Sequence, residues 1–134
     1  MKWIIILLLI FILWRLYLWF KKWYLNKKAI GKRFSIHYFD QNINFENIFP
    51  LNGIITEKIK IGKGLFFVMK LDNSFAYDFG NYDTICIRER HLGFYIGSKK
   101  PVHVHVLLPK IDLNLKKYKF KQFDHVVWAE IKPI

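Results

Sequence analysis

The chain divides into two patterns of hydrophobic and polar positions. Residues 3–20 are apolar or aromatic at every position except Arg15, so a helix there would have no polar face. From Phe34 onward, short runs of alternating apolar and polar residues are separated by turn-forming residues, a pattern typical of β-strands. The sequence therefore predicts an N-terminal hydrophobic helix followed by an all-β domain.

The apolar stretch has the length of a single membrane span. Its 18 residues would rise about 27 Å as a helix, close to the roughly 30 Å hydrocarbon core of a bilayer. Lysines and aromatic residues follow it in place of a small-residue cleavage site, so we expect an uncleaved anchor and not an export signal. A helix lying on the membrane surface needs a polar face, which residues 3–14 lack. We therefore predict a transmembrane anchor over residues 1–24.

Basic and aromatic residues surround the carboxyl end of this span. Arg15 lies five residues before Phe20, near enough to the end for its side chain to extend to the lipid headgroups. The alternative role for this arginine is a polar contact with a partner helix in a homo-oligomer. Tryptophan and tyrosine rings also favour the headgroup depth. The predicted membrane-interface residues are Arg15, Trp19, Lys21, Lys22, Trp23 and Tyr24.

The charges that flank the span predict its orientation. Residues 1–33 carry 8 basic and no acidic side chains, whereas residues 34–134 carry 14 basic and 10 acidic ones. Because the positive flank of a span stays in the cytoplasm, we expect a short outside N-terminus, a basic linker over residues 25–33 and a cytoplasmic all-β domain over residues 34–134. The predicted location is the inner (plasma) membrane, crossed once. The opposite orientation would make the domain an exported one.

The alternating segments of the domain predict about eight strands at spacings of 8 to 12 residues. Short, regular strands with no long helix to connect parallel neighbours indicate a small antiparallel β-barrel or β-sandwich. A three-residue glycine-containing loop, 62–64, is expected to close a hairpin, and residues 45–49 suit one helical turn. The predicted strands are residues 34–39, 53–61, 65–71, 75–79, 84–90, 94–98, 102–108, 111–123 (as one strand or two) and 124–132.

Two of these strands are apolar on both faces, over Leu65 to Met69 and Val106 to Leu108. A strand with one solvated face shows a cleaner alternation. Such strands indicate a surface wrapped by oligomer or membrane contact, or a ligand cavity enclosed by the sheet.

Paired basic side chains mark the candidate binding site. Arg88 and Arg90 share one face at a strand end, where two guanidinium groups suit a phosphate or carboxylate. His103 and His105 share a strand face opposite valines, which is half of a metal site, but no carboxylate follows before Asp112. We therefore expect no metal or other cofactor. The predicted ligand-binding residues are Arg88, Arg90, His91, His103 and His105.

Other chemistry is not indicated. The single cysteine, Cys86, excludes an intrachain disulfide, and its position between isoleucines within a strand predicts a packed thiol. Lysines alternate with aromatic residues over 110–123, as in single-stranded nucleic-acid sites, but a solvated strand face has the same pattern and we expect no nucleic-acid partner. The sequence contains no glycine-rich phosphate loop, nucleophile elbow or zinc-protease motif.

These observations predict a single-pass, membrane-anchored, non-enzymatic binding protein. Its all-β domain would bind a protein partner or a small anionic ligand at the cytoplasmic face. By analogy with other small anchored modules, this architecture suits bacterial conflict, as an immunity protein, a phage-defence protein or a ligand-gated membrane effector. The alternative is a membrane-tethered, metal-dependent enzyme that uses His103 and His105.

Overall fold

The computed structural model describes residues 1–40, 48–77, 80–91, 94–109 and 123–134. In these ranges the chain forms one helix and six strands. The elements are α1 (Lys2–Ala29), β1 (Arg33–Phe39), β2 (Leu51–Ile61), β3 (Gly64–Tyr77), β4 (Gly80–Glu89), β5 (Val102–Pro109) and β6 (Phe123–Pro133).

Helix α1 contains the predicted hydrophobic segment and continues beyond it. By length and composition it could cross a membrane, and none of its most apolar 18 residues is buried in the protein. The helix also runs through most of the segment predicted as a linker, and it ends where Gly31 adopts a φ of +84°. A positive φ is easily reached by glycine, so the chain turns there from the helix into β1.

The six strands form a single antiparallel sheet. Each strand pairs with its neighbours along the chain, and β1 also pairs with β6, which closes the sheet into a ring. Ile36 of β1 lies opposite Ile131 of β6 at this closure. The predicted all-β, antiparallel domain is confirmed. The predicted count of about eight strands is wrong, because the described residues contain six.

Two predicted strands are absent as separate elements. A turn is predicted between residues 65–71 and 75–79. The structure has one strand there, β3 from Gly64 to Tyr77, whose pairing with β4 is irregular between Lys70 and Phe75. Residues 94–98 form a turn in which the Ser98 amide donates to the Tyr95 carbonyl at 3.0 Å. Most of the helical turn predicted at 45–49, and nearly all of segment 111–123, lie outside the described residues.

The hairpin between β2 and β3 is tighter than predicted. Ile61 pairs with Gly64, so the loop has two residues, Gly62 and Lys63, and not three. Gly62 has a φ of +60°, as the two-residue turns that match strand twist require.

Buried side chains lie on both faces of the sheet, as the two-sided apolar strands predicted. One cluster draws on all six strands and lies inside the ring. A second cluster lies on the opposite face of β2 to β5, where alternation places every other residue. Its members are Ile59, Ile61, Phe66, Val68, Cys86 and Leu107.

Candidate functional site

The end of α1 is packed directly against the ring. Asn26 is 4% exposed and Ala29 is fully buried. Gly97, in the connection from β4 to β5, lies so close to the helix that a Cβ atom there would be 1.9 Å from the carbonyl oxygen of Leu25. Two backbones can approach this closely only where a side chain is missing. The glycine therefore allows the connection to dock on the helix.

The β2–β3 hairpin extends past this junction alongside the helix. The Gly31 amide donates to the Ile55 carbonyl at 2.7 Å, which aligns the helix end with the middle of β2. Lys63 of the hairpin loop and Arg15 of α1 line the same space. The loop therefore lies nearer the apolar part of the helix than the junction does.

A cleft of about 860 Å³ lies between α1 and this end of the ring. Its volume falls within the range of small-molecule sites. One wall is the side of the helix from Phe11 to Asn26, and the other comprises the hairpin, the end of β4 and Tyr95. We refer to this space as the cleft.

The cleft is strongly basic. Among the described residues that line it, Glu89 is the one acidic residue, and its carboxylate accepts a hydrogen bond from the Ile96 amide at 3.4 Å. Six basic side chains surround the space, contributed by both the helix and the ring. They are Arg15, Lys22, Lys58, Lys63, Arg88 and Arg90.

Three of the five predicted ligand-binding residues line the cleft: Arg88, Arg90 and His91. The Arg88 guanidinium lies 5.0 Å from the centroid of the Phe66 ring, and that of Arg90 lies 3.9 Å from the centroid of Trp128. Stacking on an aromatic face orients a guanidinium while its edge remains able to donate hydrogen bonds.

The other two, His103 and His105, lie on the neighbouring strand outside the residues that line the cleft. Both project from the face of β5 opposite its buried valines, as the alternation predicts. His103 Nε2 is 3.9 Å from a carboxylate oxygen of Glu130, whereas the His105 ring meets the Trp128 ring edge-on at 3.7 Å between centroids. The two imidazoles therefore contact different partners.

The environment of His105 favours its neutral form. Burial lowers its pKa first, and the nearby charges of Arg88 and Arg90, with His91, lower it further. Burial and the neighbouring positive charges both disfavour the protonated form of the His105 imidazole.

The remaining reactive groups of the described residues include side chains of metal-ligating types and one thiol. Within the described ranges, no group of three or more His, Cys, Asp and Glu side chains is placed to hold a metal ion. Cys86 is fully buried, and burial, with a smaller effect of Glu57, raises the pKa of its thiol to about 12. The prediction that this thiol is packed is confirmed.

The predicted membrane-interface residues are divided around the helix. Arg15, Trp19 and Lys22 line the cleft. Trp23 and Tyr24 are exposed. The Lys27 ammonium lies 5.1 Å from the centroid of the Trp23 ring, and the Lys28 ammonium lies 5.9 Å from that of Tyr24. Lys21 is also exposed.

The sequence-based predictions missed Asn26, Lys58, Lys63 and Glu89 of the cleft. Lys63 lies in the hairpin turn and Lys58 in the strand before it, where solvated lysines are common. A register irregularity between Ile55 and Glu57 places Lys58 opposite Phe67, with its ammonium 5.4 Å from the ring centroid. Asn26 is the one uncharged polar residue between Lys21 and Lys28, which is the signal that could have singled it out.

Asn26 is unusual in its bonding. Its side chain lines the cleft and is buried, yet its Oδ1 atom has no hydrogen-bond partner among the residues that the structure describes. Buried amide oxygens normally accept a hydrogen bond, because an unpaired one has lost its water without compensation. Asn26 therefore offers an acceptor at the base of the cleft.

No known protein family, curated protein or solved structure matches the chain at a significant level.

Proposed function

We propose that the protein is a single-pass, membrane-anchored, non-enzymatic binding protein that holds its ring of strands at the cytoplasmic face of the inner membrane and binds an anionic ligand in the cleft. The observation that carries this proposal is the continuity of α1. The exposed apolar part of the helix passes without a break into buried Asn26 and Ala29, beside the cleft.

The position of the basic side chains along α1 supports a site at the membrane surface. Arg15 and Lys22 are separated by about 10 Å of helix rise and bracket the end of the apolar stretch at Phe20. Charged groups at that depth reach lipid headgroups without crossing the hydrocarbon core. The cleft would thus open where the bilayer meets the cytoplasm.

The flanking charge supports the orientation. Eight basic residues and no acidic one lie in residues 1–33, and six of the eight follow the apolar stretch. Positive residues that flank a span are retained on the cytoplasmic side. The ring, which follows those residues, would be cytoplasmic.

The chemistry of the cleft supports binding over catalysis. The six basic side chains of the cleft are hydrogen-bond donors and positive charges, which suit them to hold an anion. The imidazole of His105, a residue that could serve as a base, is instead packed against Trp128.

Cysteine labelling tests the anchoring and the orientation together. In a Cys86→Ala background, Lys2→Cys and Lys99→Cys each provide one exposed thiol, on opposite sides of the proposed span. A membrane-impermeant maleimide should label Lys2→Cys in intact cells and Lys99→Cys only after permeabilisation. Both variants should remain in the membrane pellet after alkaline carbonate extraction.

The same experiment can refute the proposal. Recovery of both variants in the soluble fraction would contradict anchoring. Labelling of Lys99→Cys in intact cells would place the ring outside the cytoplasm and contradict the orientation.

A further inference from the structure

The cleft lies at the depth of lipid headgroups if α1 crosses the bilayer. Lys63 in the hairpin loop lines the same space as Arg15. Arg15 is about 8 Å of helix rise from the end of the apolar stretch. The loop and the helix would therefore bracket the region where lipid phosphates lie.

Few of the basic side chains of the cleft pair with a carboxylate among the residues that the structure describes. Of the six basic side chains, Arg90 is the one with a carboxylate within ion-pair distance among the described residues, Asp40 at 3.9 Å. Phosphate oxygens, like carboxylate oxygens, accept strong charge-assisted hydrogen bonds from guanidinium and ammonium groups. The cleft is therefore complementary to a phosphate group.

The helix wall of the cleft is apolar on its membrane side. Phe11, Ile12 and Leu16 line it there and are exposed, and Leu65, 56% exposed, faces them from the hairpin side. With α1 in the bilayer this surface lies at the depth of the hydrocarbon layer, where an acyl chain can contact it and a soluble anion cannot. The combination of phosphate site and apolar wall favours an amphiphile.

The unpartnered oxygen of Asn26 adds a third element. Along the helix wall of the cleft it lies beyond Arg15 and Lys22, at the opposite end from Phe11. An amide oxygen requires a donor, and a hydroxyl group beyond the phosphate would supply one. The hydroxyls of a glycerol or inositol headgroup are in that place.

From these three elements we infer that the cleft binds one anionic phospholipid with a hydroxyl-bearing headgroup, drawn from the membrane that α1 crosses. The phosphate lies among the basic side chains, an acyl chain lies along the helix, and a headgroup hydroxyl donates to Asn26. The inference rests on the proposed function, because it requires the helix to be in the bilayer and names the ligand class of the same site.

Native mass spectrometry of the full chain in a neutral detergent tests the inference. The probes are dioleoyl phosphatidylglycerol, dioleoyl phosphatidylcholine and glycerol 3-phosphate. One phosphatidylglycerol should be retained per chain, at least about tenfold more tightly than either other probe. Equal retention of the two lipids would overturn the inference, and binding of glycerol 3-phosphate as tight as that of phosphatidylglycerol would identify a soluble anion as the ligand and overturn it too.

A matched pair of charge variants tests the site. Lys58→Gln/Arg88→Gln should weaken retention of phosphatidylglycerol at least about tenfold. Lys99→Gln/Lys100→Gln removes the same charge from exposed residues outside the cleft lining and should leave retention within about twofold. An equal loss in both variants, each with the circular dichroism of the parent, would show general electrostatic attraction and overturn the site.

The role of Asn26 has its own comparison. Phosphatidylmethanol has the phosphate but no headgroup hydroxyl, so the parent protein should prefer phosphatidylglycerol over it. Asn26→Leu should abolish that preference while both lipids still bind. A preference unchanged in Asn26→Leu would overturn the assignment of the hydroxyl contact.

The outcomes separate this inference from the proposed function. If the labelling and carbonate results hold but no lipid is retained selectively, the lipid inference fails and the anchored binding protein stands. If the chain is found in the soluble fraction, the proposed function fails, whatever binds in detergent.

Discussion

Gly97 lies against the carbonyl oxygen of Leu25, so that the connection between β4 and β5 and the last turns of α1 meet backbone to backbone. The neighbouring residues of that connection also belong to the junction, because Ile96 is buried in the ring's core cluster and Tyr95 lines the cleft. One missing Cβ atom thus sets how closely the ring approaches the helix, and the width of the cleft depends on it.

Gly97→Ala should therefore weaken the junction. The added methyl would meet backbone atoms, which cannot rotate away as a side chain can, and overpacking of this kind costs about 1–3 kcal/mol. Denaturant unfolding of the full chain in detergent measures the loss. Ser98→Ala, one residue further along, is the control and should change stability by less than about 0.5 kcal/mol. Equal stability of the two variants would contradict the close docking of the helix.

Asn26→Leu should stabilise the ligand-free protein. The substitution replaces a buried amide whose oxygen has no partner among the described residues by an apolar side chain of similar volume. Relief of an unsatisfied buried polar group is worth about 1–3 kcal/mol. Denaturant unfolding in lipid-free detergent gives the value, with Asn73→Leu at an exposed position as the control. A destabilised Asn26→Leu would mean that the amide is already satisfied within the protein.

Local patterns predicted the face of most strand residues, because the period of two survives in the structure. The valines of β5 are buried and His103 is exposed, and Phe66 and Phe67 enter different clusters on opposite faces of the sheet. The strand boundaries that were predicted wrongly depend on contacts between residues distant in sequence. The segment 72–74 has the composition of a turn, yet Asp72 accepts two hydrogen bonds from Arg33, 39 residues earlier, and β3 continues through it.

The cleft could be predicted only in part for the same reason. Arg88, Arg90 and His91 follow one another at a strand end, and so local reasoning found them. Lys58 and Asn26 belong to the site because the hairpin runs beside α1 and because Gly97 lets the ring dock there. Neither relationship has a signature in the residues nearby.

The environment of His105 predicts a pH dependence of stability. Burial, then the charges of Arg88 and Arg90, lower its pKa below the ordinary 6.5, so in the window between the two values the unfolded chain binds more protons than the folded one. Stability from this group is therefore complete above pH 6.5 and declines as pH falls through that window. Unfolding free energies between pH 7.5 and pH 5 should show this slope, and His105→Gln should reduce it.

A nuclear magnetic resonance titration of the imidazole checks the cause. The midpoint of His105 should lie below 6.5 in the parent protein and should move upward in Arg88→Gln, which removes one of the charges that lower it. A midpoint that is the same in both proteins would contradict the contribution of Arg88.

Cys86 should be almost unreactive in the folded protein. Its thiol is fully buried in the cluster with Phe66 and Leu107, and its pKa is raised to about 12. At pH 8 an ordinary exposed thiol is about one-quarter ionised, so ionisation alone should slow Cys86 at least about a thousandfold.

Ellman's reagent measures the rate, with Lys99→Cys in a Cys86→Ala background as the exposed reference. In denaturant the two thiols should react at similar rates, because the slow reaction of Cys86 is caused by its burial in the folded protein. A Cys86 that reacts with the reagent as fast as the reference before unfolding would contradict the packing of β4 against β3 and β5.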